Sequence, residues 1–358
     1  MNKLSSPSFG ATALAMAIGL TTGTAAFAAP SGTVAFLMPD QASTRYEQHD
    51  FPGFKAEMSK LCADCKVLYQ NANGDVAQQQ QQQQQQFNSV ISQGAKVIVL
   101  APVDSTSAAS LVKLAQSKGV KVIAYDRPVP TTPADYYVSF DNEGIGKAIA
   151  QSLVQQLKDN KVPMDKGGLL QVNGSPTDAA AGLIKKGIHA GLQDSGYKTL
   201  AEFDTPEWAP PKAQQWVSGQ ITRFSTQIIG VVAANDGTGG GAIAAFKAAG
   251  VNPVPTVTGN DATIAVLQLI IAGDQFNTIS KPSEIVAAAA ARVAVGFLAG
   301  ETPKSEMKLY DTPSQLFVPA VVTAKNLKAE IIDKKIATAN ELCTGRYADG
   351  CKKLGISN

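Results

Sequence analysis

Short apolar runs typical of buried β-strands alternate with longer amphipathic segments along most of the chain. The runs fall into two series, 33–39, 66–72, 96–103, 121–126 and 136–141, then 168–174, 199–205, 228–236, 256–261 and 276–280. Continuous apolar strands that alternate with helix-length segments predict parallel sheets covered by helices on both faces. Two such series predict an α/β fold with two doubly wound parallel-sheet lobes.

A run of nine glutamines at 78–86 lies between two of the predicted strands. A homopolymer of this kind is often disordered. Here, however, Phe87, Val90 and Ile91 follow at helical spacing, and glutamine is a good helix former. The run therefore favours a surface helix, with a disordered insertion as the alternative.

The composition supports a folded protein with no electrostatic signature of nucleic-acid binding. The 358 residues are 44% hydrophobic and 17% charged, which suffices for two ordinary cores. The formal net charge is +2, and the lysines and arginines are scattered rather than clustered. We therefore expect no nucleic-acid partner.

The N-terminus resembles an export signal. Lys3 precedes the apolar stretch 11–20, and small residues ending in “AFAAP” follow, with an Ala26-x-Ala28 cleavage pattern. This pattern predicts a signal peptide at 1–28 and a mature protein that is soluble in the periplasm. From Ala29 onward no apolar run reaches the length of a membrane span.

Four cysteines form two pairs that are local in sequence, Cys62 with Cys65 and Cys343 with Cys351. Structural disulfides fit an exported protein, although other connectivities are open. A zinc site or a redox motif is the alternative. A zinc site would need a second closely spaced pair, and a redox pair would be expected just after a strand, at the start of a helix.

Polar residues stand where several of the apolar runs stop. They are Asp126-Arg127, Asp141-Asn142, Asn235-Asp236 and Asn260-Asp261, and Asp178 follows another run in “NGSPTD”. Any one of them could simply cap the next helix. In parallel sheets, however, ligands bind at the carboxyl ends of the strands, so several together indicate a binding site.

The residue types at these ends suit a neutral sugar. Carboxylates accept hydrogen bonds from hydroxyl groups, whereas arginine and asparagine donate to them. Tyr46, beside Arg45, and Trp208 offer rings for the C–H faces of a sugar, although Trp208 could equally pack within its proline-rich loop. His49 and His189 are too far apart in sequence for a metal cluster and are expected in a loop and on a helix surface.

Enzyme motifs are few. “GTGGGA” at 237–242 formally matches the glycine pattern of dinucleotide-binding folds, and Asp261 lies near the position of a ribose-binding acid. This makes an NAD-binding oxidoreductase the main rival interpretation. An exported chain is an unexpected place for that cofactor, and Asn235-Asp236 precede the glycines where a pyrophosphate would lie.

Several motifs together resemble the periplasmic sugar-binding proteins of ABC importers, in particular their xylose-binding branch. They are “VIAYDRP”, “YYVSFDNEGIGKAIAQSL”, “VNGSPTDAAA”, “VVAANDGTGGGAIAAFKAAG” and “VTGNDATIAVLQLIIAGDQFNTISKP”. The resemblance implies a type I periplasmic binding protein fold in which three crossovers join the lobes, near residues 141–143, 280–283 and 311–314. It implies an N-terminal lobe of 29–141 plus 282–312 and a C-terminal lobe of 142–281 plus 313–358.

The resemblance also implies a set of sugar ligands in the cleft between the lobes. They are Arg45, Tyr46, Asp126, Arg127, Asp178, Trp208, Asn235, Asp261 and Lys281. The family pattern has asparagines after the Asp of the “GSP-x-D” turn, whereas Ala179, Ala180 and Ala181 follow Asp178 here. D-xylose is the expected ligand, with other aldopentoses and hexoses as alternatives.

The expected function is therefore the binding of a monosaccharide and its delivery to the membrane permease of an ABC importer, by a monomer that needs no cofactor or metal and catalyses no reaction. A sugar-sensing chemoreceptor ligand or regulator of the same fold is the further alternative, although a DNA-binding repressor would carry a helix pair in place of the signal peptide.

Overall fold

The structure is a computed structural model that describes Met1, Leu4 and residues 30–41, 44–73, 78–305 and 307–356. The predicted signal peptide at 1–28 therefore lies, apart from Met1 and Leu4, outside the described residues. The strands are β1 Thr33–Met38, β2 Lys66–Asn71, β3 Ala95–Leu100, β4 Lys121–Tyr125, β5 Tyr136–Phe140, β6 Gly168–Asn173, β7 Lys198–Asp204, β8 Ile228–Ala233, β9 Thr256–Val257, β10 Asn277–Ser280, β11 Met307–Leu309, β12 Thr312–Phe317 and β13 Ala320–Thr323. The helices are α1 Phe51–Leu61, α2 Gln79–Ser92, α3 Ala108–Ser117, α4 Asn142–Asp159, α5 Ala179–Leu192, α6 Pro210–Phe224, α7 Asp236–Ala248, α8 Ile264–Ala272, α9 Ser283–Leu298, α10 Ala339–Leu342 and α11 Ala348–Lys353.

The first lobe is built on a seven-stranded sheet with the order β11-β12-β5-β4-β3-β1-β2. Every neighbouring pair is parallel except β11 and β12. Alternate residues of β1 enter two different cores, Val34 and Phe36 beneath α1 and α9, and Ala35 and Leu37 beneath α2 and α3. The apolar runs predicted as buried strands are therefore buried on both faces.

The second lobe contains a four-stranded parallel sheet with the order β7-β6-β8-β9. Leu169 of β6 packs with α4 and α5, whereas Leu170 packs with α6 and α7 on the opposite face. The antiparallel pair β10-β13 and the C-terminal segment enclose a further core around α8. Two doubly wound α/β lobes, as predicted, are confirmed.

The chain crosses between the lobes three times. It passes from β5 to α4 at Asp141, from β10 to α9 at residues 281–282, and from β12 to β13 at residues 318–319. The third crossover follows β12, which pairs in parallel with β5 and so belongs to the first sheet. The predicted boundary at 312/313 falls inside this strand because “TPSQLF” lacks the apolar run that marks the other strands. We propose to place the boundary after Phe317.

Helices α4 and α5 of the second lobe pack at unusually close range through glycine. A Cβ atom on Gly187 would lie 2.0 Å from the carbonyl oxygen of Glu143, and one on Gly146 would lie 1.9 Å from that of Ile184. Only residues without a side chain allow two backbones to approach this closely. The close contact fixes the position of the α5 N-terminus, which carries Asp178.

The glutamine run forms the first half of α2, so the predicted helix is confirmed. One glutamine is buried rather than exposed. The Gln83 side chain donates to the carbonyl of Ala101 and accepts from the N–H of Val103, both at 2.8 Å. It therefore anchors the backbone that follows β3.

Both sequence-local disulfides are present, Cys62–Cys65 directly after α1 and Cys343–Cys351 in the C-terminal segment. The second joins the residue after α10 to α11 and packs against α8. Among the described residues, no helix has the length and apolar character needed to cross a membrane.

Candidate functional site

All nine residues predicted as sugar ligands line one cavity between the lobes. Four residues that were not predicted as ligands complete its wall, namely Asn142, Ala180, Ile184 and Asn260. Asn142 and Asn260 carried the same signal as the predicted residues, because each follows a strand of its sheet. Ala180 and Ile184 lie on α5 and gave no chemical signal in the sequence.

The fold brings these side chains together because the carboxyl ends of parallel strands share one edge of a sheet. In the first lobe, Arg45 and Tyr46 follow β1, and Asp126 and Arg127 follow β4. In the second lobe, the segments after β6, β7, β8 and β9 carry Asp178, Trp208, Asn235 and Asp261, respectively, and Lys281 follows β10 at the second crossover. Both lobes and a crossover therefore contribute to one site.

Two of the predicted ligands also cap helices. Asp178 Oδ1 accepts from the N–H of Ala180 at 2.8 Å, at the start of α5. Asn235 Oδ1 accepts from the N–H of Thr238 at 2.8 Å, at the start of α7. Capping and cavity lining are thus not alternatives here, since capping uses one atom and fixes the direction of the rest of the side chain.

Three cavity residues have a left-handed backbone, with φ of 60° at Asp126, 57° at Trp208 and 115° at Asp261. Such conformations are costly for residues other than glycine and persist where the surrounding structure imposes them. They change the direction in which each side chain leaves its strand or turn. Their concentration around this cavity is typical of a functional site.

Asp126 is the central hydrogen-bond acceptor among the cavity residues of the first lobe. Arg45 Nη2 lies 2.5 Å from Asp126 Oδ1, and the Tyr46 hydroxyl donates to Asp126 Oδ2 at 2.7 Å. Burial opposes ionisation of this carboxyl group, but Arg45 and Lys281 outweigh it and hold the pKa of Asp126 well below its usual range. Asp126 is therefore a charged acceptor at every physiological pH.

Arg127 and Asp178 join the two lobes. Arg127 Nε lies 3.3 Å from Asp178 Oδ2, and both side chains are only 5% exposed. Arg127 Nη2 also contacts Asp40 at 2.7 Å, and Nη1 donates to the carbonyl of Pro102 at 3.2 Å. Burial disfavours the charged guanidinium, but Tyr46 and Asp178 outweigh it and raise the pKa of Arg127.

Burial favours the neutral form of Asp178, whereas Arg127 is held in its charged form. Burial raises the pKa of Asp178, and Arg127 only partly opposes the effect. The indole N–H of Trp208 donates to Asp178 Oδ2 at 3.1 Å, and the Trp208 ring lies over Gly174, where a Cβ atom would be 2.1 Å from it. The hydrogen bond to Asp178 and the packing on Gly174 therefore fix the position of the Trp208 ring beside the cavity.

Lys281 and Asp261 complete the site. Lys281 Nζ lies 2.8 Å from Asp261 Oδ1, with exposures of 7% and 15% for the two side chains. The backbone N–H of Asp261 donates to the carbonyl of Ile279 on β10 at 3.0 Å. The pair thus links the second crossover to the sheet edge of the second lobe.

The histidines lie outside this cavity. His49 lines a neighbouring groove and its Nδ1 is 2.8 Å from Glu284, whereas His189 is exposed on α5 beside Glu202. Within the described part of the chain, no three His, Cys, Asp or Glu side chains are grouped so that they could hold a metal ion.

The glycine run does not form a phosphate-binding turn. Residues 237–242 lie inside α7, and Asn235 caps its first turn in the place where a pyrophosphate would be held. A Cβ atom on Gly241 would lie 2.5 Å from the carbonyl oxygen of Pro210, so this glycine allows α6 to pack closely.

A polar cavity between two α/β lobes, at the carboxyl ends of both sheets, defines a cleft-type binding protein that encloses a small ligand. The chain belongs to the periplasmic binding protein domain family, which matches residues 34–302. The family predicted from the sequence motifs is therefore confirmed.

Three similar proteins illustrate the family. The chain is 34% identical over 285 residues to the D-xylose-binding periplasmic protein of Escherichia coli K12, covering 77% of this chain and 83% of the relative. It is 30% identical over 342 residues to the multiple sugar-binding periplasmic receptor of Rhizobium radiobacter, covering 88% and 94%. An ABC transporter solute-binding protein from Clostridium phytofermentans, solved with β-D-glucose, superposes with a TM-score of 0.78 at 27% identity, covering 87% and 99%. These three are named as binding proteins and not as enzymes.

Proposed function

We propose that this chain is the extracytoplasmic substrate-binding component of an ABC sugar importer, which encloses one monosaccharide in the cavity between its lobes. The observation that carries the proposal is the convergence of nine polar and aromatic side chains, from both lobes and a crossover, on that single cavity. The nine residues are the proposed ligands of the sugar.

The charges of the site favour a neutral ligand. Three cationic side chains face three carboxylates, in the pairs Arg45–Asp126, Arg127–Asp178 and Lys281–Asp261. Each pair can accept from one hydroxyl and donate to another. A sugar phosphate or sugar acid would add charge without a free counterion, and an unpaired buried charge is costly.

The apolar part of the wall favours an aldopentose. Ala180 and Ile184 lie one turn apart on the same face of α5 and both line the cavity. A hydroxymethyl group directed at them would lose its water without gaining a partner, at a cost of about 1–3 kcal/mol. D-xylose lacks the hydroxymethyl group of D-glucose, so it is the proposed ligand, ahead of other aldopentoses and hexoses.

Binding and transport follow from the two-lobed architecture. The lobes open and close about the three crossovers, and a sugar that contacts both lobes stabilises the closed form. In the structure the lobes touch beside the cavity, where the N–H of Ser105 donates to the carbonyl of Thr177 and Ser105 Oγ accepts from the N–H of Ala179. The closed monomer then docks on the membrane permease, with no bond made or broken.

The proposed location is the periplasm, after removal of residues 1–28. The export pattern at the N-terminus and the periplasmic names of the relatives support it. Expression of the full chain followed by N-terminal sequencing of the mature protein tests this point, with Ala29 as the expected first residue.

Calorimetric titration of the purified mature chain tests the function. The panel contains D-xylose, L-arabinose, D-ribose, D-galactose, D-glucose and NAD. We expect one-to-one binding of a sugar, with D-xylose bound at least about ten-fold more tightly than D-glucose. Binding of NAD with no response to any sugar would overturn the transport proposal in favour of the oxidoreductase. A preference for D-glucose would retain the function and reject the pentose assignment.

A further inference from the structure

We propose that Asp236, which does not line the sugar cavity, is a positioning residue that holds Asp261 and Lys281 in the geometry required for binding. The inference rests on the proposed function. Asp236 is the first residue of α7 and is only 4% exposed. A carboxylate buried this deeply must be satisfied by neighbouring donors, and the identity of those donors indicates its role.

All three donors to the Asp236 carboxylate come from the two segments that carry Asp261 and Lys281. Asp236 Oδ2 accepts from the N–H of Thr263 at 2.8 Å and from its hydroxyl at 2.9 Å. Asp236 Oδ1 accepts from the hydroxyl of Thr278 at 2.7 Å. Thr263 lies two residues after Asp261, and Thr278 lies on β10, three residues before Lys281.

The carboxylate also determines how the two threonine hydroxyls are oriented. A hydroxyl has one proton, and the ionised form of Asp236, which is populated above about pH 7, can only accept. Thr278 therefore donates to Asp236 and is left to accept from the N–H of Ala262, at 3.1 Å. Thr263 likewise donates to Asp236 and accepts from the N–H of Val266, as the N-cap of α8. Asp236 thus controls a second layer of bonds to the loop.

The loop at 260–263 needs this support because its backbone is strained. Asp261 and Ala262 have φ of 115° and 52°, both in a region that favours glycine. The backbone N–H of Asp236 also donates to the carbonyl of Asn260 at 2.8 Å. Asp236 therefore holds both ends of this strained loop, at Asn260 and at Thr263. The loop then directs the Asp261 carboxylate to Lys281.

The electrostatics agree with this geometry. Burial and the charge of Asp261 raise the pKa of Asp236 to about 7, against the bonds from Thr278 and Thr263. The charged group that faces Asp236 is Asp261, which is itself paired with Lys281. Protonation of Asp236 removes an acceptor from the network, so sugar affinity should fall as the pH decreases through 7.

Titration of D-xylose into a matched set of full-length mature variants tests the proposal. Asp236→Asn replaces the carboxylate by an isosteric amide, and Thr278→Val removes the hydroxyl that links Asp236 to Ala262. Thr258→Val is the control, because the Thr258 hydroxyl is also fully buried in this lobe but bonds only to the backbone of Ala233. Circular dichroism establishes the folded fraction of each variant before affinity is measured.

We expect Asp236→Asn and Thr278→Val to weaken D-xylose binding by the folded protein at least ten-fold, and Thr258→Val to change it less than two-fold. The loss in Asp236→Asn should be smaller in an Asp261→Asn background, because part of the effect acts through Asp261. The decline in affinity below pH 7 should also be absent from Asp236→Asn. If Asp236 had a purely structural role, its replacement would lower the stability of the protein. The sugar affinity of the folded protein, its pH dependence and the coupling to Asp261 would then be unchanged.

Three results would overturn the inference. They are an unchanged affinity in Asp236→Asn, equal losses in Thr278→Val and Thr258→Val, or full additivity of Asp236→Asn with Asp261→Asn. If the wild-type chain binds no sugar of the panel, the proposed function fails and the inference fails with it. The wild-type titration therefore distinguishes the two failures.

Discussion

Replacement of Asp126 by asparagine gives the most direct test of the site. The substitution keeps the shape of the side chain but removes its charge and one of its two acceptor oxygens. In the structure these oxygens meet Arg45 at 2.5 Å and the Tyr46 hydroxyl at 2.7 Å, with side-chain exposures of only 11% for Arg45 and 16% for Asp126. The variant therefore leaves a buried guanidinium without its main partner.

The expected losses follow from these contacts. A hydrogen bond that involves a charged group contributes about 1.5–3 kcal/mol, so loss of the carboxylate should weaken sugar binding by about 2 kcal/mol, or about 30-fold. Breaking a buried ion pair costs about 3–5 kcal/mol of stability. Asp50 Oδ1 lies 3.6 Å from Arg45 Nη1 and still offers the guanidinium a negative partner. We therefore expect the free energy of unfolding to fall by about 3 kcal/mol, at the lower end of this range.

Two measurements separate these effects. Calorimetric titration with D-xylose gives the affinity of the folded protein, and denaturant unfolding gives the free energy of unfolding. Glu57→Gln is the control, because Glu57 forms surface ion pairs with Lys60 and Arg292 and lies outside the cavity. It should change neither quantity appreciably. A folded Asp126→Asn variant with an affinity within three-fold of wild type would refute the role given to Asp126.

Three further predictions concern closure, packing and pH. Ser105→Ala removes the acceptor for the N–H of Ala179 across the lobes and should weaken D-xylose binding about three- to ten-fold in calorimetry; an unchanged affinity would contradict its part in closure. Gly187→Ala places a Cβ atom 2.0 Å from a backbone oxygen of α4 and should lower the free energy of unfolding by about 1–3 kcal/mol. Because this contact fixes the start of α5, the variant should also weaken sugar binding, and equal denaturation midpoints would argue against the close packing. Because Asp236 keeps its proton to about pH 7 in the folded chain but loses it near pH 4 in the unfolded one, its contribution to the free energy of unfolding should fall by up to about 4 kcal/mol between pH 4 and pH 7. Asp236→Asn should reduce this fall in denaturant titrations at pH 4, 5, 6 and 7, and parallel curves for the two proteins would refute the assignment.

The sequence predicts the position of the site better than its internal geometry. Asp126, Asp178, Asn235 and Asp261 could be placed together because each follows a strand of a parallel sheet, and this rule depends only on the alternation of apolar runs and helices. Lys281 could be placed only through the family resemblance. All of them do line the cavity, whereas their sugar contacts stay predictions.

Features that depend on backbone conformation and on side-chain pairing could not be read from the sequence. The left-handed φ of Asp126 and Asp261 decides which way each carboxylate points. No local residue pattern predicts this backbone conformation. The same limit applies to the third crossover, since β12 is recognised by its pairing with β5 and not by its own composition. Asn142 and Asn260 did carry the strand-end signal, but the sequence does not show that their side chains line the cavity.

The helix formed by the glutamine run has a consequence for the evolution of the chain. Among the glutamines whose side chains the structure describes, two bond to the backbone beside the neighbouring strands, Gln83 through Ala101 and Val103, and Gln86 through the carbonyl of Asn71. Gln83 lies four residues before Phe87, which is fixed in the core. Any run of at least four glutamines ahead of Phe87 therefore supplies both contacts, whatever its total length.

In most helices the insertion or deletion of one residue moves the side chains on one side of the change to a different face of the helix. Here each displaced glutamine is replaced by an identical one, so the positions that bond to Ala101, Val103 and Asn71 are still filled by glutamine. We expect variants that differ only in the number of these glutamines to bind sugar equally well, so that the length of the tract can drift among related chains without selection against it.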